Sequence, residues 1–208
     1  MATTQELISY FEEYVDDTTE LSPAQELALA NKIYRRVLND RPWEFLKKEY
    51  NTTTNGGDIT LPADFANFAS NHSFTDHAIE QGGKYVFIGD TLIPYQIVNW
   101  SDRKQYRNIG QKCWLNVASN TLSFSVQPDS GLAVTFDYIY RPADLTLVTS
   151  PIFPSDFHDI IYHGMAADDY MIQQFDKARS YAQENEANYR RYLDDLALYN
   201  SNLISIVY

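Results

Sequence analysis

The stretch FPSDFHDIIYHGMAADDY, Phe153 to Tyr170, brings two histidines and four aspartates into eighteen residues. Those side chains have the chemistry of metal ligands and of general acids and bases. Their spacing argues against both. His158 and His163 are five residues apart, as are His72 and His77. Five helical residues turn the chain by about 500°, roughly 140° away from eclipse, so such a pair points to different faces. Helical zinc pairs are four apart, as in H-E-x-x-H. In a strand the odd spacing also puts the two side chains on opposite faces. Acid–base catalysis needs two carboxylates in different environments. Asp168–Asp169 and Asp194–Asp195 are instead adjacent pairs on helical segments and read as solvated faces. The expectation is a solvent-facing His158, a partly packed His163, no metal and no cofactor.

A nucleophile fares no better. There is no G-x-S-x-G elbow. The single cysteine, Cys113, lies beside Trp114 in an apolar strand, the setting of an inert buried thiol. Gly82-Gly83-Lys84 lacks the remainder of a phosphate loop, and no G-x-G-x-x-G occurs.

The elements that carry these residues follow from periodicity. Thr3 and Glu6 form a capping box before a helix whose Leu7, Ile8, Phe11, Tyr14 and Val15 share one face. Ser22, Pro23 and Gln25 start a second helix, with Leu27, Ala30, Ile33, Tyr34, Val37 and Leu38 as its stripe. Pro42 interrupts it, and PWEFLKKEY reads as a further short helix anchored by Trp43 and by Phe45 or Leu46. From Asn51 the period changes. GKYVFIGDTLIPYQIVNW reads as two strands joined at Gly89-Asp90, and KCWLNVASNTLSFSVQP as two more joined at Ala118-Ser119-Asn120. LAVTFDYIYRPADL alternates Val134, Phe136, Tyr138 and Tyr140 with Thr135, Asp137 and Ile139, a half-buried strand. After Pro154 the helical period returns, capped by Ser155. Phe157, Ile160, Ile161, Gly164, Met171, Phe175, Ala178, Ala182, Tyr189, Tyr192, Leu193 and Leu196 form a stripe some forty residues long.

The predicted class is α+β: an α-helical bundle from N- and C-terminal segments with an inserted antiparallel β-sandwich or barrel-like region. The segments are 1–50 (N-terminal helices), 51–150 (inserted β region), 151–202 (long C-terminal helix) and 203–208 (apolar tail). With 208 residues, 44% hydrophobic and 21% charged, the composition is that of a folded chain. No run approaches the roughly 18 apolar residues of a membrane span. The N-terminus has no basic and apolar signal-peptide regions, so synthesis in the cytoplasm is expected.

The formal charge is −12, from 28 acids and 16 bases, which argues against wrapping by nucleic acid. Sixteen tyrosines suit half-buried and interface positions. The tail Leu203, Ile204, Ile206, Val207 and Tyr208 is apolar and β-prone. Burying it would stabilise by several kcal/mol at about 25 cal/mol per Å². It folds back on its own domain or docks on a partner, for example as an added strand.

RPWEFL, ITLPADF, LSFSVQP and VTFDYIYRPADLTLVTSPIFPSDFHDIIYHGMAADDY, followed by a long helix, resemble the head-to-tail adaptor (connector) proteins of tailed bacteriophages, the tail-tubular or neck adaptor type. The resemblance spans about Trp43 to Leu196. It implies a virion protein without enzyme activity: a dodecameric ring below the portal that extends the DNA channel and presents a docking surface for the tail or nozzle. DNA would pass without specific binding. The resemblance also implies that the C-terminal segment docks on the portal, or on a neighbouring copy. Asp168, Asp169, Glu184, Glu186, Asp194 and Asp195 are then the candidate acids for the channel wall. The competing readings are another neck or tail-terminator ring, and a small metal-dependent hydrolase using the His158 region.

Overall fold

The computed structural model describes residues 2–15, 21–69, 83–89, 94–170 and 178–205, apart from the side chains of 204 and 205. The class is α+β: among the described residues, four helices and one curled, half-barrel sheet. The chain divides into two units, Met1–Phe45 with Pro142–Tyr208, and Leu46–Arg141.

The first unit holds the helices α1 (Thr4–Val15), α2 (Pro23–Asp40), α3 (Asp159–Tyr170) and α4 (Ala178–Ser205). The capping signals act as read. Glu6 Oε2 accepts from the Thr3 N–H at 2.7 Å, and Gln25 Oε1 accepts from the Ser22 N–H at 2.9 Å. The first N–H groups of α1, which have no partner within the helix, find carbonyls more than 140 residues along the chain: Thr4 N–H donates to Thr149 O and Gln5 N–H to Leu147 O. The Asn31 amide does the same for the returning chain. Its Nδ2 donates to Leu145 O at 3.0 Å and its Oδ1 accepts from the Leu145 N–H at 2.7 Å. Pro42 ends α2 as expected, and Trp43 then tucks back, fully buried, donating from Nε1 to Val37 O at 2.8 Å.

Three expectations are corrected in this unit. Tyr14, placed on the apolar stripe, is 43% exposed, while the α1 positions Thr4, Leu7, Ile8, Phe11 and Val15 are buried. Ser155 opens a single 3-10 turn, Ser155–Phe157, rather than the main helix, which starts at Asp159. The forty-residue stripe belongs to two helices. α3 and α4 run antiparallel, because Tyr170 meets Tyr181, His163 meets Asn185 and Phe157 meets Tyr199. A continuous apolar stripe and two antiparallel helices share the same 3.6-residue period, so periodicity alone cannot distinguish them. Met171 and Phe175 lie outside the described residues.

The seam leaves no room for a side chain at Gly164. A Cβ placed there would lie 2.6 Å from Ile33 Cγ2 on α2 and 3.1 Å from Tyr189 Cδ2 on α4. The glycine is therefore a steric requirement of the contact among the three helices.

The second unit contains β1 (Lys47–Thr53), β2 (Ile59–Thr60), β3 (Phe65–Phe68), β4 (Tyr85–Ile88), β5 (Tyr95–Ile97), β6 (Lys112–Asn116), β7 (Thr121–Phe124) and β8 (Ala133–Tyr140). The order is β1-β8-β4-β5-β6-β7-β2, with β3 also on β8. β8 is the organising strand. Its Val134, Phe136 and Tyr138 are buried in a core with Val86, Ile88, Cys113, Leu122 and Phe124. The β6–β7 turn holds Asn120 at φ 50°, a conformation asparagine tolerates.

Two further expectations fail here. PWEFLKKEY is not a helix: Glu44–Leu46 makes one 3-10 turn and Lys47 begins β1, paired antiparallel to β8 from Lys47↔Ile139 to Thr53↔Ala133. The strand KKEYNTT lacks β-branched apolar residues, and its pairing is supplied by β8. The sheet is also not wholly antiparallel. β5 and β6 pair in parallel, with Gln96 opposite Lys112. Parallel neighbours need a crossover of about a dozen residues or more, and residues 98–111 provide it.

Gly164→Ala reports on the helix seam. Helix propensity alone favours alanine by about 1 kcal/mol, but the overlap with Ile33 demands repacking at about 1–3 kcal/mol. The variant is expected to lose stability in a denaturant titration; a gain would mean the seam is looser than described. Asn31→Ala leaves both polar groups of Leu145 without their side-chain partner and is expected to lower the unfolding free energy by about 1–3 kcal/mol.

Candidate functional site

The histidines are the first test of a chemical site. His158 is 1% exposed, not solvent-facing. Its Nε2 lies 3.0 Å from Phe153 O, and a carbonyl can only accept, so Nε2 carries the proton. Burial, the main influence, lowers its pKa; the Phe153 carbonyl opposes the shift. His163 is also buried. Its Nδ1 is 3.0 Å from Asn185 Oδ1, and Asn185 Nδ2 donates to Tyr181 O at 3.0 Å. That second bond orients the amide, so Nδ1–H of His163 is the donor. Both rings thus act as fixed polar spacers in the interior of the helical unit. Among the described residues no three His, Cys, Asp or Glu side chains converge on a common point. His72 and His77 lie outside the described residues. Cys113 is fully buried, and burial pushes its thiol pKa up, away from the reactive thiolate.

The acids separate into three groups. Asp169 is 4% exposed, in the interior. Asp168 is held by Lys32 Nζ at 2.6 Å and Arg36 at 3.0 Å, so it joins α3 to α2 electrostatically. Neither presents an unpaired charge to solvent. Glu186 is half-buried and pairs with Arg190 one turn along α4 at 2.8 Å. Glu184, Asp194 and Asp195 are exposed on α4. In the tail, Leu203 is half-buried at the end of α4; the side chain of Ile204 and all of Ile206, Val207 and Tyr208 lie outside the described residues.

Two surface features do not appear in the sequence reading. The β5–β6 crossover carries Trp100, Arg103, Lys104 and Arg107 around a hollow of about 410 Å³ that Trp114 also lines. The first unit has a hollow of about 690 Å³ lined by Tyr10, Glu13, Tyr14, Asp159 and Tyr162. A count of charged residues along the chain could have found the first, since 103–112 holds four bases and no acid. The second joins α1 to α3, residues some 150 positions apart in sequence, and has no local signal. The charge itself is unevenly divided. The helical unit has 19 acids against 8 bases, a formal −11; the sheet unit has 9 against 8, a formal −1.

These residues hold the fold and decorate its surface, and residues 2–204 match a sequence family described as SU10 adaptor protein. The chain belongs to the SU10 adaptor protein family. It is a phage structural adaptor, and the family implies a virion component that assembles with portal and tail proteins. No curated protein matches the chain in sequence. The family is a structural one, in keeping with histidines used as interior hydrogen-bond partners. No described helix of the adaptor is long and apolar enough to cross a membrane.

The neutral, buried His158 gives this adaptor a pH dependence with a definite sign. Its folded-state pKa is below the usual value of about 6.5. The unfolded chain therefore binds more protons as pH falls through that value, and stability falls with it. The contribution is complete above the unfolded pKa and has a limiting slope of about 1.4 kcal/mol per pH unit. Unfolding titrations of the full chain between pH 7 and pH 5 are expected to show a steeper loss for the native sequence than for His158→Gln. Equal slopes would show that His158 takes up its proton in the fold as easily as in the unfolded chain.

Proposed function

We propose that the adaptor is the subunit of a dodecameric ring below the portal at the head–tail junction, where it extends the DNA channel and offers the docking surface for the tail. The family match over residues 2–204 carries this reading. In it, the helices α1 to α4 act as a bundle, and the sheet unit Leu46–Arg141 is the inserted β domain. Tyr10, Tyr14, Tyr181 and Tyr199 are exposed on the helical unit, and such rings suit contacts between subunits.

The acidic balance suits a wall past which DNA slides. Each base pair brings two phosphates, and screening confines repulsion to about 8–10 Å. The useful acids are then solvent-facing ones. Glu184, Asp194 and Asp195 meet that requirement, with Glu186 beside them. Asp168 and Asp169 act within the fold instead.

The apolar tail Leu203, Ile204, Ile206, Val207 and Tyr208 docks on the portal, or on a neighbouring copy where its reach is too short. Electron microscopy of the purified full chain mixed with its portal is expected to show a ring stacked on the portal. A chain lacking 203–208 is expected to stack poorly. Absence of stacking by the full chain would overturn the ring reading, and equal stacking by the truncated chain would overturn tail docking.

A further inference from the structure

The crossover at residues 98–111 is an unusual surface for a chain of this charge. Arg103 stacks over Trp100 with its guanidinium carbon 3.8 Å from the ring centroid and donates to Trp100 O at 2.6 Å, so its direction is set in advance. Lys104 and Arg107 are exposed beside it. Among the described residues, none of these three cations pairs with a carboxylate. Trp100 is 45% exposed and Ile109 62% exposed on the same crossover. Apolar side chains grouped with preset cations have the composition of a protein interface centre.

The hollow on the helical unit has the opposite charge and a similar aromatic character. Glu13 and Asp159 stand among Tyr10, Tyr14 and Tyr162, and Tyr10 is 51% exposed. Among the described residues neither carboxylate has a cation partner.

We propose that the Trp100–Arg103–Lys104–Arg107 surface of one copy docks on the Tyr10–Glu13–Tyr14–Asp159 hollow of the next copy, and that this head-to-tail contact closes the ring. The proposal rests on the ring reading and supplies its subunit contact. A closed ring needs two different surfaces that fit each other, because identical patches meeting about a two-fold axis give only a dimer. Here like-to-like docking would set cations on cations, whereas the unlike pair is complementary in charge and aromatic on both sides. Duplex DNA is the weaker occupant. Three cations are few beside the roughly six to ten phosphate contacts of a typical binder, and the helical unit adds a formal −11 to the same chain.

Charge reversal tests it on the full chain in the presence of portal. Lys104→Glu with Arg107→Glu spares the Arg103–Trp100 stack; Glu13→Lys with Asp159→Lys reverses the other face. Circular dichroism checks that each folds, and Glu13→Lys alone replaces the second variant if it does not. Each variant alone is expected to lose about tenfold in ring yield, the effect of a few surface pairs acting together. An equimolar mixture is expected to recover it, because alternating the two variants makes every contact complementary again. Rings formed by either variant at the unaltered yield, or no recovery on mixing, would overturn the pairing while leaving the ring reading intact. A mobility shift showing that Lys104→Glu with Arg107→Glu loses duplex binding, with ring yield unchanged, would assign the surface to DNA instead. If the unaltered chain makes no rings at all, it is the ring reading that fails.

Discussion

At Gly164 three helices come closer than any side chain allows. Ile33 of α2 and Tyr189 of α4 fill the space that a methyl group would take. Protein interiors are packed as densely as organic crystals, so a contact of this kind sets the positions of all three elements at once. Around it lie the polar fastenings of the unit: His163 to Asn185, and Asp168 to Lys32 and Arg36. The hydrogen bonds give the seam direction where apolar packing alone would let the helices slide past one another.

The same economy explains how a stretch rich in histidine and aspartate serves the fold. A buried imidazole with one committed hydrogen bond is a rigid polar spacer. His158 bonds Phe153 and His163 bonds Asn185, so each leaves its ring fixed in one orientation. Asp169 is interior and Asp168 is ion-paired. For a structural adaptor, these groups define how the helices meet, and the surfaces proposed for assembly lie elsewhere.

Those surfaces follow from how the topology distributes charge. Nearly all of the excess acid lies on the helical unit, while the sheet unit is close to neutral. The parallel pairing of β5 and β6 forces a crossover, and the crossover carries three of the sheet unit's eight bases beside an exposed tryptophan. A backbone requirement of the sheet thus places a cationic, aromatic face on a strongly anionic chain.

Local signals were readable wherever a residue acts on its near neighbours. The capping pairs Thr3–Glu6 and Ser22–Gln25, the stop at Pro42, the turn at Asn120 and the alternation of β8 are all contacts within a few residues, or a direct consequence of side-chain period. The negative charge and the family resemblance were equally present in the letters. Tertiary structure decided what depends on partners far along the chain. It made Lys47–Thr53 a strand because β8 lies beside it, and split one apolar stripe between two antiparallel helices that share its period. It also buried His158 and brought α1 and α3 together around one acidic hollow. A sequence specifies the faces that must be covered. Which face covers which is settled only when the whole chain competes for the same buried space.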